Sequence, residues 1–183
     1  MSTLDLAPID PDHAPAAVRD TLASVRQRYG FVPNLYRYFA HAPGALEGYL
    51  AISDLFGRGT LSATERNVVL LAVSRENGCR YCVAVHSTVA DMQRDDTAAT
   101  DAIRNGTPIA DPRLEALRQL AEALARDPAD AGAEVAAFLA VGFTPAQVLE
   151  VVLGLTLKTL SNTTNHLVAT PLDAAFAKRA WSE

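Results

Sequence analysis

The two cysteines of the chain and a histidine beyond them form a motif whose spacing predicts chemistry. Cys79 and Cys82 enclose two residues, and His86 lies four residues after Cys82. On a helix that begins at Cys79, the three side chains share one face, because residues three and four apart are neighbours there. A C-x-x-C pair in this setting predicts a dithiol that cycles between reduced and disulfide forms.

Two arguments from the residues disagree about which sulfur attacks a substrate. The positive end of the helix dipole and its free N–H groups stabilise a thiolate at Cys79. In contrast, His86 can accept the proton of Cys82 or pair with its thiolate, which favours Cys82. The residues alone leave this choice open.

Two other interpretations of the cysteine pair are open. Buried cysteines can be small apolar residues without reactivity. Cys79, Cys82, His86 and the distant His166 also have the ligand types of a tetrahedral zinc site. Structural zinc is typical of small domains, however, and this chain is long enough to form a core without a metal. We therefore predict neither a metal nor another cofactor.

A capped helix leads into the motif. Ser62 and Glu65 have the capping-box spacing, in which the serine accepts from the glutamate's N–H and the glutamate side chain reaches back. We assign Glu65 to this role. The run 68–73 is apolar on nearly every side, which indicates a buried helix. Gly78 breaks that helix, and residues 79–92 are predicted to form the next one.

The rest of the chain also has helical spacing. Thr144 and Gln147 form a second capping box, which opens a long helix. Residues 95–96 and 105–106 bracket a shorter helix, and a last helix is predicted over residues 172–181. Because no stretch alternates apolar and polar residues between turns, the sequence predicts an all-α, multi-helical bundle.

Length and composition bound the domain organisation. The chain has 183 residues, of which 49% are hydrophobic and 20% charged, an ordinary balance for a soluble globular protein. We predict a single domain over residues 1–183, with an N-terminal arm and helix in residues 1–30 and the redox-motif core in residues 61–92.

The charge of the chain bears on its partners and location. The formal net charge is −5, and no basic cluster is visible, so we expect no binding to nucleic acid or to a membrane surface. The N-terminus lacks the pattern of a signal peptide, and no apolar stretch reaches membrane-spanning length. These features predict a cytoplasmic protein.

The residues around the motif resemble a known family. Residues 61–86 read LSATERNVVLLAVSRENGCRYCVAVH, residues 157–167 read LKTLSNTTNHL, and residues 170–173 read TPLD. This pattern resembles the carboxymuconolactone decarboxylase/AhpD-like family and, more narrowly, its branch of peroxidase-related alkylhydroperoxidase-like proteins. The resemblance covers most of the chain after about residue 30.

The resemblance implies an all-helical fold that assembles into homotrimers or hexamers. It also implies thiol-dependent reduction of a hydroperoxide, with electrons from a thiol reductant such as a lipoyl-bearing protein or a thioredoxin-like donor. Carried over to this sequence, Cys82 attacks the peroxide, Cys79 resolves the product and His86 belongs to the proton relay.

The sequence departs from the family pattern at two relay positions. Asn67 stands where well-studied relatives have a glutamate, and Tyr81 stands where they have a histidine. An amide does not accept a proton at neutral pH, and a phenol is a weak acid. We name Asn67, Tyr81, Glu76 and His166 as candidate relay or supporting residues.

Polar side chains interrupt the apolar C-terminal helix. Asn162, Asn165 and His166 are predicted to join a hydrogen-bonded network in the core or at a subunit interface, with His166 as a relay the less favoured reading. Lys158 is predicted to form an ion pair at the helix surface or at an interface.

Three functions follow from these residues and the resemblance. The first is a thiol-dependent hydroperoxide reductase or disulfide oxidoreductase. The second is a non-catalytic, redox-responsive or assembly protein of the same fold. The third is a lactone decarboxylase, which the cysteine pair and the lack of a visible cationic acid-binding motif disfavour.

Overall fold

The computed structural model describes residues 2–93 and 97–182. These residues form nine α-helices and no strand, which confirms the all-α prediction. Residues 95–96, which the sequence places before a shorter helix, lie outside the described residues. Three short 3-10 helices cover Pro11–His13, Pro128–Asp130 and Ala174–Arg179. The nine α-helices are α1 (Ala16–Tyr29), α2 (Asn34–Phe39), α3 (Pro43–Gly57), α4 (Ala63–Glu76), α5 (Arg80–Gln93), α6 (Thr97–Asn105), α7 (Pro112–Arg126), α8 (Gly132–Ala140) and α9 (Pro145–Val168).

Both predicted capping boxes are present. The N–H of Glu65 donates to Oγ of Ser62 at 3.1 Å, and the N–H of Ser62 donates to Oε2 of Glu65 at 2.8 Å. The same reciprocal pair joins Thr144 and Gln147 at the start of α9. The second carboxylate oxygen of Glu65 accepts from Nε of Arg113 at 3.0 Å. Glu65 therefore has the structural role that the sequence assigned to it.

Gly78 ends α4 and sets the direction in which α5 leaves. Its φ is 62°, a left-handed conformation that glycine adopts without steric cost. The N–H of Cys79 bonds to the carbonyl of Ser74 at 2.8 Å, and the N–H of Gly78 bonds to the carbonyl of Arg75 at 2.8 Å. These two bonds form a Schellman motif, which places Cys79 in the tight turn between the helices.

Helix α4 is the centre of the bundle. It packs against α5, α6, α7 and α9. Val69, Leu71, Ala72 and Val73 are completely buried, as its apolar sequence predicted. Because α4 is enclosed on several sides, it fixes α5 and α9 relative to one another.

Helix α9 approaches α4 closely at Gly154. A Cβ atom at this position would lie 2.8 Å from Cγ1 of Val69 and 3.0 Å from Cζ of Phe56, closer than carbon atoms pack. The missing side chain therefore allows α9 to lie deep against α3 and α4. This depth brings the residues that follow Gly154 to the start of α5.

The C-terminal segment differs from its prediction. The expected helix over residues 172–181 is a shorter 3-10 helix, Ala174–Arg179. The carboxylate of Asp173 makes no cap bond to that helix, because it accepts from the N–H of Asn34 at the start of α2, at 3.1 and 3.2 Å. Arg179 forms ion pairs with Asp91 and Asp101. Long-range bonds hold this segment, and local helical spacing could not predict them.

None of the helices in the described residues is both long enough and apolar enough to cross a membrane.

Candidate dithiol site

The two cysteines lie together at the start of α5. Both are free thiols, and each is almost completely buried. Cys79 precedes the helix, and its carbonyl accepts the first helical bond from Val83 at 3.0 Å. Cys82 lies in the first turn, and each of the two thiols shifts the pKa of the other. The structure thus brings together the pair that the sequence proposed as a redox dithiol.

Helix α9 supplies polar groups to both sulfurs. Nδ2 of Asn165 lies 3.2 Å from Sγ of Cys82 and 3.6 Å from Sγ of Cys79. Oγ of Ser161 lies 3.8 Å from Sγ of Cys82. Ser161 and Asn165 are four residues apart and share one face of α9 with Lys158. An amide donor directed at both sulfurs stabilises negative charge on the pair.

His86 contacts Lys158 of α9. Its Nε2 atom lies 2.8 Å from Nζ of Lys158. Burial, together with the charge of Lys158, holds the pKa of His86 well below its usual value. The imidazole is therefore neutral at pH 7, so that its Nε2 accepts a hydrogen bond from the ammonium group.

Lys158 is buried, although the sequence placed it at the helix surface or at an interface. Only 1% of the residue is exposed. No carboxylate of the described residues forms an ion pair with it. Besides contacting His86, it lines the same cavity as Cys82, and its charge lowers the pKa of that thiol. The prediction for Lys158 was wrong because the depth of α9 in the bundle depends on tertiary packing at Gly154.

The two thiols have opposite pKa shifts. Burial alone would raise the pKa of Cys82, but the hydrogen bond from Cys79, the charge of Lys158 and the hydrogen bonds from Ser161 and Lys158 outweigh it and lower the pKa. The pKa of Cys79 is raised by its hydrogen bond to Cys82, by burial and by the negative charge of Cys82. The pair therefore favours a thiolate at Cys82 and a protonated thiol at Cys79.

A cavity of about 670 Å³ opens onto one of the two sulfurs. Cys82, His86 and Lys158 line it, whereas Cys79 does not. The other lining residues are mostly apolar or aromatic. The aromatic ones are Tyr29, Phe31, Tyr36, Tyr49, Tyr81 and Phe176. A molecule in this cavity would meet Cys82 first.

Tyr81 and Asn67, at the two positions that depart from the family pattern, occupy different places. The hydroxyl of Tyr81 donates to Oδ2 of Asp173 at 2.7 Å, and its ring lines the cavity. Burial and the bond to Asp173 raise the pKa of Tyr81, so the phenol stays protonated. Asn67 is buried in α4 and does not line the cavity.

Glu76 and His166 do not line the cavity, and each has a partner of its own. Glu76 pairs with Arg126 at 3.2 Å. Nε2 of the exposed His166 lies 2.8 Å from the carbonyl of Asn77. In the described residues, no group of three or more His, Cys, Asp or Glu side chains could hold a metal ion, so the four proposed zinc ligands do not converge.

Lys158 and Asn165 were predicted to form an ion pair and a hydrogen-bonded network, but neither they nor Ser161 was predicted to lie at the cysteine pair. A signal for them was present, because polar residues at positions 158, 161 and 165 follow the helical spacing of three and four along α9. The spacing shows a shared polar face but does not reveal which helix it meets. Asn162, on the same helix, has no hydrogen-bond partner for its amide among the described residues.

Residues 39–123 match the sequence model of the carboxymuconolactone decarboxylase family. The matched stretch includes both cysteines and His86, and it ends before α9. No curated protein matches the chain.

Solved structures of several proteins have the same fold. The AhpD core of an uncharacterized peroxidase-related protein from Ralstonia eutropha JMP134 is 22% identical, with a TM-score of 0.84 and all of both chains covered. A peroxidase-related protein from Silicibacter sp. TM1040 is 21% identical, with a TM-score of 0.80 and coverage of 96% of this chain and 93% of that one. A cysteine-to-alanine variant of the debrominase Bmp8, in complex with 2,3,4-tribromopyrrole, is 15% identical, with a TM-score of 0.80 and coverage of 96% and 95%.

Proposed function

Because the chain belongs to the carboxymuconolactone decarboxylase/AhpD-like family, we propose that it is a thiol-dependent hydroperoxide reductase of the alkylhydroperoxidase type. One observation carries the proposal: Cys82 lines the cavity, whereas its neighbour Cys79 does not. This arrangement suits an attacking sulfur that the substrate reaches and a resolving sulfur that it does not. It favours the histidine argument for Cys82 over the dipole argument for Cys79.

The first step is the attack of the Cys82 thiolate on the distal oxygen of the hydroperoxide. The O–O bond breaks as the S–O bond forms, which leaves Cys82 as a sulfenic acid and releases the alkoxide. The alkoxide takes up one proton and leaves as the alcohol. The sulfur loses two electrons, and the peroxide gains them.

The second step joins the two sulfurs. The thiol of Cys79 attacks the sulfenic acid of Cys82, so that a disulfide forms and water leaves with the thiol's proton. A dithiol reductant, such as a lipoyl-bearing or thioredoxin-like protein, then reduces the disulfide and is itself oxidised. Because Cys79 stays protonated, its thiol does not compete with Cys82 for the peroxide and remains available for the second step.

His86 supports the reaction as a neutral base next to the site. It lies one turn beyond Cys82 on α5 and also lines the cavity. Its lowered pKa keeps it able to accept a proton at pH 7. We assign it the relay role through its hydrogen bond to Lys158. Tyr81 is proposed to support the site through Asp173 rather than as an acid.

A second candidate reaction is reductive dehalogenation of an aromatic compound. The mostly apolar, aromatic lining of the cavity favours this candidate, since it suits a flat apolar ring. A structure with the same fold is a debrominase. The dithiol would supply two electrons, so that a bromoarene and two thiols yield the arene, the disulfide and hydrogen bromide.

The proposal is tested by peroxide consumption with organic hydroperoxides and with lipoyl and thioredoxin-type donors. We expect turnover by the wild type and none by Cys82→Ser, which keeps the side-chain size but not the thiolate. Bromide release from tribromopyrrole in the same assay tests the second candidate. Turnover of peroxide by Cys82→Ser would refute the role of Cys82.

The redox-responsive alternative makes a different prediction in the same samples. It expects negligible turnover with every donor, together with a change of oligomer mass when the dithiol is oxidised. We propose a single domain over residues 1–183 that assembles as a homotrimer or hexamer of unchanged mass in both redox states. Mass measurements on the reduced and oxidised protein separate the two.

A further inference from the structure

Lys158 is a buried cation without a carboxylate partner in the described residues. Only 1% of it is exposed. An ammonium group buried alone is unfavourable, because it loses its hydration. Lys158 contacts the neutral imidazole of His86 and lines the same cavity as the sulfur of Cys82. Only the sulfur of this pair can become an anion at neutral pH.

We propose that Lys158 is the counter-ion that holds Cys82 as a thiolate and the acid that protonates the alkoxide leaving the peroxide. The first part depends only on the contacts of Lys158, whereas the second rests on the proposed peroxidase function. Neither part uses the glutamate and histidine that Asn67 and Tyr81 replace.

The geometry places the ammonium group where both roles are possible. Its Nζ atom lies 2.8 Å from Nε2 of His86, which accepts one of its three N–H bonds. Lys158 lines the same cavity as Cys82, close enough for its charge to lower the pKa of that thiol. Another of its N–H bonds can therefore face an oxygen atom of a bound hydroperoxide. His86 thereby fixes the direction of the amine.

The other titratable groups around Cys82 do not supply positive charge. The thiol of Cys79, just before α5, and the phenol of Tyr49, on α3, both have raised pKa values and stay protonated and neutral. Tyr81, on α5, is likewise neutral. His86 is neutral because its pKa is lowered. Among the described groups facing Cys82, Lys158 therefore provides the charge.

The balanced step moves one proton from nitrogen to oxygen. The Cys82 thiolate, the hydroperoxide and the Lys158 ammonium give the Cys82 sulfenic acid, the alcohol and the neutral Lys158 amine. After Cys79 closes the disulfide, neither charge of the original pair is left in the site. Reduction by a dithiol returns two electrons and two protons, which restore the thiol of Cys79, the thiolate of Cys82 and the ammonium of Lys158.

The test measures the thiolate without any peroxide. In a Cys79→Ser background, which leaves one cysteine with a hydroxyl neighbour, the ultraviolet absorbance of the thiolate is titrated against pH. The rate of alkylation by iodoacetamide is measured at pH 7. The variants are Lys158→Met, which has a similar shape without charge, and Lys158→Arg, which keeps the charge. Lys178→Met is the control, because Lys178 is the other lysine of the chain and is exposed.

We expect Lys158→Met to raise the pKa of Cys82 to or above that of an ordinary thiol, near 8.5. The thiolate fraction at pH 7, and with it the alkylation rate, would fall about thirtyfold or more. Lys158→Arg should recover most of the thiolate, and Lys178→Met should match the parent. Circular dichroism shows whether Lys158→Met is folded. If it is not, the thiolate titrations of Lys158→Arg and the parent are compared instead.

The results separate this inference from the proposed function. Equal thiolate titrations of Lys158→Met and its parent overturn the counter-ion role, whether or not the protein consumes peroxide. If Lys158→Met loses the thiolate and the wild type consumes no peroxide, the counter-ion role is upheld. The same pair of results refutes the peroxidase function and the acid role. If the protein consumes peroxide, the acid role predicts that Lys158→Met reacts more slowly than its parent in a single turnover. The two rates are compared above the pKa of Cys82 in Lys158→Met, where both proteins hold the thiolate. Equal single-turnover rates there overturn it.

Discussion

Nζ of Lys158 lies 2.8 Å from Nε2 of His86, although the two residues are 72 positions apart. Asn165 reaches Cys82 across 83 positions in the same way. Both contacts join α9 to α5, so the sulfurs lie at the start of α5 and α9 supplies groups that set their charge. The site is therefore a property of the helix pair, and changes in α9 should alter the chemistry of α5.

Replacing Cys79 by Ser should limit the enzyme to one turnover. The Cys82 thiolate would still attack the peroxide, but no second thiol could close the disulfide, so the sulfenic acid would persist. Mass spectrometry after trapping with a sulfenic-acid reagent should detect one modified Cys82 per chain. Sustained turnover by Cys79→Ser with a dithiol donor would contradict the resolving role of Cys79.

Replacing Asn165 by Leu should weaken the thiolate while the fold is kept. The change removes the amide that donates to both sulfurs. A hydrogen bond to a charged acceptor contributes about 1.5–3 kcal/mol, so we expect the pKa of Cys82 to rise by about one to two units. Alkylation should therefore slow about tenfold or more at pH values below the pKa of Cys82 in the parent. Asn162→Leu is the matched control, because its buried amide has no partner among the described residues. An equal effect of both changes would show that packing, and not the amide, is responsible.

Replacing Tyr81 by Phe should reduce stability more than activity. The hydroxyl donates to Asp173, which also accepts from the start of α2. Loss of a bond to a carboxylate should lower the free energy of unfolding by about 1.5–3 kcal/mol. Urea denaturation measures this loss, with Tyr38→Phe as the control. A fall of a hundredfold or more in the peroxide reaction of folded Tyr81→Phe would instead make Tyr81 part of the relay.

The free energy of unfolding of the reduced protein should rise with pH between the folded-state pKa of Cys82 and about 8.5, the ordinary pKa of a cysteine thiol. The folded-state pKa of Cys82 is lowered, so in this window the unfolded chain binds more protons than the folded one. The difference of one proton changes the free energy of unfolding by up to about 1.4 kcal/mol per pH unit. This contribution is lost as the pH falls through the folded-state pKa of Cys82.

The raised pKa of Cys79 gives the opposite slope above about 8.5, where the unfolded thiol ionises and the folded one does not. The lowered pKa of His86 adds a further loss of stability below about 6.5, where the unfolded imidazole takes up a proton. Urea denaturation from pH 6.5 to 8.5, on the wild type and on Lys158→Met, measures the contribution of Cys82. Equal slopes in the two proteins would contradict it.

The sequence by itself determined the local structure and the cysteine pair. The capping box of Ser62 and Glu65 and the stop at Gly78 are interactions between residues a few positions apart, so their chemistry is visible in the order of residues. The same holds for the C-x-x-C spacing, since one helical turn must bring Cys79 and Cys82 together. The all-α class and the family assignment follow from such local patterns.

Only the tertiary structure decided which sulfur faces the cavity and which charges surround it. Lys158 reaches His86 and Asn165 reaches Cys82 because Gly154 lets α9 lie deep against α3 and α4. The register between two helices depends on the packing of the whole bundle, and a sequence pattern on one helix shows its polar face without showing what that face meets. For this reason the motif was predictable and the buried lysine beside it was not.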